Sequence, residues 1–168
     1  MTRSLAPHAA HRVVLDSNVW IDILVFDDPA TRPIRAALER GTLAAVIDGR
    51  CLNELELVLD YPQFQARAID KAEALATVAR LASLVEPPPV DAGAPPLPKC
   101  KDRDDQKFLE LARAAQADWL VSKDRALLKL AKRTARDFGF RIAQPAPFTE
   151  ACALDAALAV TATTTTPA

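Results

Sequence analysis

Four acids stand where chemistry could be done: Asp16, Glu54, Asp105 and Asp124. Asp16 closes the apolar run Arg-Val-Val-Leu-Asp that begins at Arg12, and Asp124 follows the apolar run from Trp119 to Ser122. In an open parallel sheet, ligands gather outside the carboxyl ends of the strands, so both acids are aimed at one edge. Asp105 precedes Phe108 by three residues and Ala112 by seven, which puts it on the sheet-facing side of a helix, at its mouth. Glu54 lies in the first turn of the helix after the second strand, four residues before Val58, and a parallel topology brings that turn to the same end. Carboxylates brought together repel unless they take up a proton or bind a cation. Mg²⁺ or Mn²⁺ is the natural cation: hard oxygen ligands and retained waters suit an ion that orients water and stabilises charge during in-line attack on a phosphodiester. Plainer roles compete. Asp102, Asp104 and Asp105 also suit helix caps, and Glu54, among Glu56 and Asp60, also suits a solvated helix face.

Elements at the right spacing must position these acids. Residues 12–16 read as a buried first strand and residues 43–47 as a second, with a helix over 30–40 between them that Gly41 stops. Asp48-Gly49 marks a turn into a helix carrying Leu52, Leu55, Val58 and Leu59, which Tyr61-Pro62 ends. A further helix is expected over 67–84, with a third strand starting at Leu84-Val85. Six prolines and a glycine between Glu86 and Pro98 force a surface loop. Helices over 104–115 and 125–136 flank a strand over 119–122, and residues 140–143 form the last strand. Strands alternating with helical crossovers argue for an α/β fold whose parallel sheet is covered on both faces.

Composition bounds the rest. A chain of 168 residues, half of them apolar and about a quarter charged, suits one soluble domain and holds no stretch long enough to span a bilayer. The expected organisation is a flexible tail over residues 1–11, a domain over 12–160 and a disordered tail over 161–168. Residues 1–11 lack the apolar core of a secretory signal, which points to a cytoplasmic location. Cys51, Cys100 and Cys152 have neither zinc-ligand spacing nor the even count of a disulfide framework, so reduced thiols are expected. A net charge of −1 excludes a strong global positive field, and any grip on nucleic acid must be local. Lys99, Lys101, Arg103 and Lys107 around the third acid, with Lys123 and Arg125 around the fourth, are the candidates for gripping phosphates. Trp20 and Trp119 read as core packing, and His8 and His11 as non-catalytic tail residues.

Four segments together resemble the PIN-domain nucleases (PilT N-terminus-like), and among them the VapC-like toxin components of type II toxin–antitoxin pairs. Val13 to Trp20 (Val-Val-Leu-Asp-Ser-Asn-Val-Trp) is similar to the family's opening strand and first acid. Asn53 to Phe64 is similar to the helix of the second acid, with Glu54 matching it and Glu56 the lesser candidate. Cys100 to Ala112 resembles the acid-rich start of the next helix, with Asp105 as the metal acid, and Ala117 to Leu128 resembles the strand, Ser, acid and Leu-Leu pattern of Ser122 and Asp124. Two departures stand out: Lys123 where the family often has Gly, and Gln106 in place of a frequent Asp.

The resemblance implies a three-layer PIN-like (Rossmann-like) domain with strand order 3-2-1-4-5 and Mg²⁺ or Mn²⁺ held by Asp16, Glu54, Asp105 and Asp124. Ser17, Asn18 and Ser122 would have supporting roles in that site. It further implies endonuclease cleavage of RNA, a homodimer and, for a toxin, a small antitoxin protein as partner. Two other functions fit the same residues: a catalytically silent PIN-like module that binds RNA or protein, and a Mg²⁺-dependent α/β phosphatase using Asp16 as nucleophile. The phosphatase lacks the second acid expected two residues after Asp16, where Asn18 stands.

Overall fold

The computed structural model describes residues 11–65 and 67–154, so the two expected tails, His11 apart, lie outside the described residues. The chain opens with β1 (His11–Leu15) and α1 (Ser17–Ile21), which runs into a π-helical turn (Asp22–Phe26). There follow α2 (Arg32–Arg40), β2 (Leu43–Ile47), α3 (Gly49–Leu59), α4 (Pro62–Gln65), α5 (Lys71–Leu81) and β3 (Ala82–Leu84). A 3₁₀ turn (Arg103–Asp105) then leads into α6 (Gln106–Ala114), β4 (Trp119–Val121), α7 (Arg125–Leu128), α8 (Ala131–Asp137), β5 (Arg141–Ala143) and α9 (Pro145–Ala151).

The five strands form one sheet in the order β3-β2-β1-β4-β5 with every pair parallel, the order the family resemblance implies. Val13, Val14 and Leu15 of central β1 are all buried, as a strand covered on both faces requires. Leu15 pairs with Val121, so the next residues after both strands, Asp16 and Ser122, leave the sheet side by side. The Asp16 N–H donates to the Val121 carbonyl at 3.1 Å, which extends that pairing to the acid itself. α6 packs on β1 and β4, and α3 packs against α6. Leu55 of α3 and Phe108, Leu111 and Ala112 of α6 are buried with the sheet in one core. Fully burying a side chain such as Leu55 is worth about 1.5–3 kcal/mol. Trp20 and Trp119 are both buried, in line with their reading as packing residues.

Several boundaries differ from expectation for identifiable reasons. The helix expected over 67–84 begins at Lys71, where Asp70 caps it by accepting from the Glu73 N–H, and ends at Leu81. β3 therefore starts earlier than Leu84, although the Val85 N–H still bonds the Ile47 carbonyl beyond it. Pro62 does end α3, yet it also opens α4 at the first position, where its fixed φ and missing N–H cost nothing. The helix expected over 125–136 is two helices, broken where the Leu130 N–H bonds Leu127 in a tighter turn. No glycine or proline marks that break. Asp105, expected inside its helix, sits instead at the N-cap of α6, at the end of the 3₁₀ turn. No helix among the described residues is long and apolar enough to cross a membrane.

Candidate active site

Asp16, Asp102 and Asp124 each cap a helix start through a carboxylate oxygen, so for these acids the capping and site readings are two uses of the same carboxylate. Asp16 caps α1 with Oδ1, which accepts the Val19 N–H at 3.0 Å, while Oδ2 accepts the buried Ser122 hydroxyl. Ser122 thus joins the ends of β1 and β4, and its Oγ also accepts the Asp124 N–H at 3.0 Å. Asp124 caps α7 by accepting the Ala126 N–H at 2.9 Å. One hydroxyl therefore fixes the spacing of two acids carried by different strands.

Asp105, Asp124 and Asp102 come closest together: each offers a carboxylate oxygen, and these oxygens lie within 4.8 Å of one another. Asp102 reads from sequence as a cap, and it is one, since Oδ1 accepts the Asp104 N–H at 3.0 Å. Its place in the cluster was the part missed; the acid-rich stretch Asp102 to Asp105 was the available signal. The cost of assembling these charges shows in their protonation. Burial first, then the hydrogen bond with Asp124 and the charges of Asp124, Asp102 and Asp16, push the Asp105 carboxyl up to about 8. Asp124 moves the other way, held below the usual carboxylate range chiefly by that hydrogen bond from Asp105. The two share one proton. Asp16 is also pushed up by burial, against the opposing hydrogen bonds from Ser122 and Val19.

Glu54 stands on the other flank. Ser17 donates to its Oε2 at 2.5 Å, and Lys107 reaches its Oε1 at 2.8 Å while also bonding the Asp104 carbonyl. One turn before Glu54 on α3, Arg50 pairs with Glu110 at 2.7 Å, so two ion pairs clamp α3 to α6. Asp16, Ser17, Asn18, Glu54 and Asp105 line one open cavity of about 230 Å³, with Tyr61 and Phe108 at its wall. Glu54 and Asp16 face this cavity without joining the three-oxygen group. Glu56 does not line it; Glu56 borders a separate apolar recess with Leu52 and Leu84.

The basic residues divide into two sets. Lys107 is engaged with Glu54, and Lys123 lies 2.5 Å from Asp22, a buried acid of the π-helical turn. Lys123 is the residue standing where the family often has Gly; its partner Asp22 carried no signal in sequence beyond its charge. Lys99, Lys101, Arg103 and Arg125 are exposed. The second departure also has a structural use. Gln106 Oε1 accepts the Cys100 N–H at 2.7 Å and its Nε2 donates to the Pro98 carbonyl at 3.2 Å, a two-way bond that an ionised Asp could not make.

Which group these residues would hold follows from donor chemistry. The clustered atoms are carboxylate oxygens, and the excess negative charge is relieved here by one shared proton, which a divalent cation would replace. The neighbouring Cys100 thiol is pushed up by burial and by Asp105, Asp124 and Asp102, so it stays protonated and adds no soft thiolate ligand. A hard divalent ion fits this set, with Asp102, Asp105 and Asp124 as ligands and Asp16 beside them.

A PIN-domain family model matches residues 12–126, more than half of the chain. The crystal structure of PAE2754 from Pyrobaculum aerophilum is similar over 85% of this chain and 92% of that one, at 19% identity and a TM-score of 0.45. No curated protein matches the chain. On the family match the chain belongs to the PIN domains, which are in general metal-dependent nucleases.

Proposed function

We propose that this chain is an endoribonuclease that hydrolyses RNA phosphodiester bonds with Mg²⁺ or Mn²⁺, and that it is the toxin of a type II toxin–antitoxin pair. The observation that carries the nuclease reading is the group formed by Asp102, Asp105 and Asp124, with Asp16 and Glu54 on the adjoining cavity at the same sheet edge. A bound divalent ion would supply Lewis acidity toward a phosphoryl oxygen and an activated water. The chain's own residues do the positioning. Ser122 sets the spacing of Asp16 and Asp124, Ser17 and Lys107 orient Glu54, and exposed Asn18 offers an amide at the cavity mouth. Asp105 holds the proton that must leave when the ion arrives.

Asp16 is poorly placed for the phosphatase alternative. The second acid that such an enzyme needs two residues after its nucleophile is absent, with exposed Asn18 in that position. A protein partner, whether a second copy or an antitoxin, finds support in Leu57 and Tyr61, which stand exposed at the end of α3 with Tyr61 on the cavity wall. The test is cleavage of single-stranded and structured RNA, and of matched DNA, by EDTA-stripped protein to which Mg²⁺ or Mn²⁺ is returned. Growth is followed in parallel in cells expressing the chain with and without its Asp105→Asn change. RNA cleavage with either ion and growth arrest lost in the variant support the reading; DNA cleavage alone, or arrest that persists in the variant, contradicts it.

A further inference from the structure

Beside the carboxylate cluster, on the far side of the 3₁₀ turn, lies a second and larger concavity of about 780 Å³. Its floor is one face of α6, presenting Gln106, Glu110 and Arg113 at helical spacing, and its wall carries Lys99, Lys101 and Arg103. Both walls are fixed. Gln106 holds the Pro98–Cys100 segment through its two-way bond, and Arg113 donates to the Pro95 carbonyl at 2.6 Å, so the proline-rich loop is pinned to the helix. Glu110 is the acid on the lining, and Arg50 already neutralises it at 2.7 Å. What remains is a net positive, preformed groove on a chain whose formal charge is −1. Arg103 belongs to the same short turn as Asp105, and Cys100 on the lining feels the charges of Asp105, Asp124 and Asp102, so the groove lies beside the acids.

We propose that this groove is the track along which a single-stranded polynucleotide reaches the cluster, with Lys99, Lys101, Arg103 and Arg113 on its phosphates; this rests on the nuclease reading above. Charge complementarity selects a polyanion, since four cations converge where the acid among them is already paired. The apolar part of the lining selects a single strand. Val90, well exposed, and Leu97 offer aliphatic contact, without an aromatic ring to stack on, to unstacked bases, whereas a duplex would present only sugar and phosphate there. Lys107 and Lys123 fall outside this set because their charges are engaged by Glu54 and Asp22. The groove therefore divides basic residues that sequence alone leaves equivalent, and it adds Arg113 to them.

The experiment is fluorescence anisotropy of labelled oligouridylate and oligothymidylate in EDTA, over a range of salt, with the intact chain and two variants. Lys99→Ala/Lys101→Ala removes two exposed groove cations; Lys132→Ala/Arg133→Ala removes the same charge from α8, outside the groove lining. Each lost phosphate contact lowers the salt slope of log K by about 0.7 for a single strand, so the groove variant should lose about 1.4 and respond about sevenfold less to a rise from about 50 to about 200 mM salt. The α8 variant should keep the wild-type slope. Comparison of the two labels reads the preference between RNA and DNA. Equal slopes for wild type and groove variant, equal losses in both variants, or a labelled polyglutamate peptide binding where neither oligonucleotide does would overturn the proposal, the last in favour of an acidic protein segment. Wild-type cleavage with Mn²⁺, assayed beside it, separates the two failures. Cleavage with unchanged slopes removes the groove alone, and groove-dependent binding without cleavage removes the nuclease reading alone.

Discussion

The shared proton on Asp105 and Asp124 makes metal binding pH-dependent in a calculable way. Asp105 holds a proton up to about pH 8 in the metal-free chain, and an ion bound by Asp102, Asp105 and Asp124 must expel it. Between about pH 6 and about pH 8 one proton should leave per ion bound, and affinity should rise by up to about tenfold per pH unit, about 100-fold across the window. Screening at a half-exposed group makes this the ceiling. Above about pH 8 the dependence should flatten. The metal-free fold carries the matching stability effect. Because the Asp105 value lies above its usual 3.8, its contribution is complete at low pH and is lost as pH rises through about 8. Asp124, held low, contributes in the opposite sense and loses its part as pH falls. Asp105→Asn cannot ionise, so it should weaken metal binding, abolish the proton release, and remove the loss of stability toward alkaline pH. Calorimetric titration with Mn²⁺ in two buffers of different ionisation enthalpy counts the proton, and urea unfolding in EDTA at pH 6 and pH 8.5 reads the stability. Affinity that is flat with pH and no released proton, or wild type and variant losing stability in parallel, would refute the reasoning.

Other consequences are more local. Ser122→Ala should cost about 1–3 kcal/mol of stability in urea unfolding, because it strips the buried Asp16 Oδ2 of its donor, and it should lower cleavage by releasing Asp124. Lys123→Met should cost about 1–2 kcal/mol by leaving buried Asp22 without its cation, between the values for surface and buried pairs, and adding Asp22→Asn should restore most of it. If the double variant is no more stable than Lys123→Met alone, the pair is not what holds that turn.

The parts of this molecule legible in its sequence are those fixed by local pattern. Val13 to Leu15 followed by Asp16 reads as a buried strand meeting solvent at an acid, and the register of β1 with β4 puts that acid beside Ser122. That the sheet is parallel was legible from the alternation of strands and helical crossovers, whereas the strand order came with the family resemblance. Helix ends set by tertiary contact were hidden. Nothing in residues 125–136 announces the break between α7 and α8, and the start of α5 depends on an Asp70 cap that reads like any loop acid. Within the site, Asp105 and Asp124 were visible, whereas Asp102 was visible only as a cap, because one oxygen does the capping and the cluster depends on folding. The roles of Lys107 and Lys123 were beyond reach for the same reason. Their partners Glu54 and Asp22 lie far away in sequence, and charge alone does not distinguish a lysine facing substrate from one facing its own protein.

On the proposed function, the acids at one sheet edge form a metal-dependent centre for cutting RNA. The most direct measurement compares cleavage of a labelled single-stranded RNA by wild type and by Asp16→Asn, Glu54→Gln, Asp105→Asn and Asp124→Asn, each first shown to be folded by circular dichroism. Mn²⁺ is supplied, withdrawn with EDTA and resupplied. Cleavage should follow the metal in wild type and fall by about 100-fold or more in Asp16→Asn, Asp105→Asn and Asp124→Asn. Cleavage that survives EDTA, or that persists in folded Asp105→Asn and Asp124→Asn, would contradict the account.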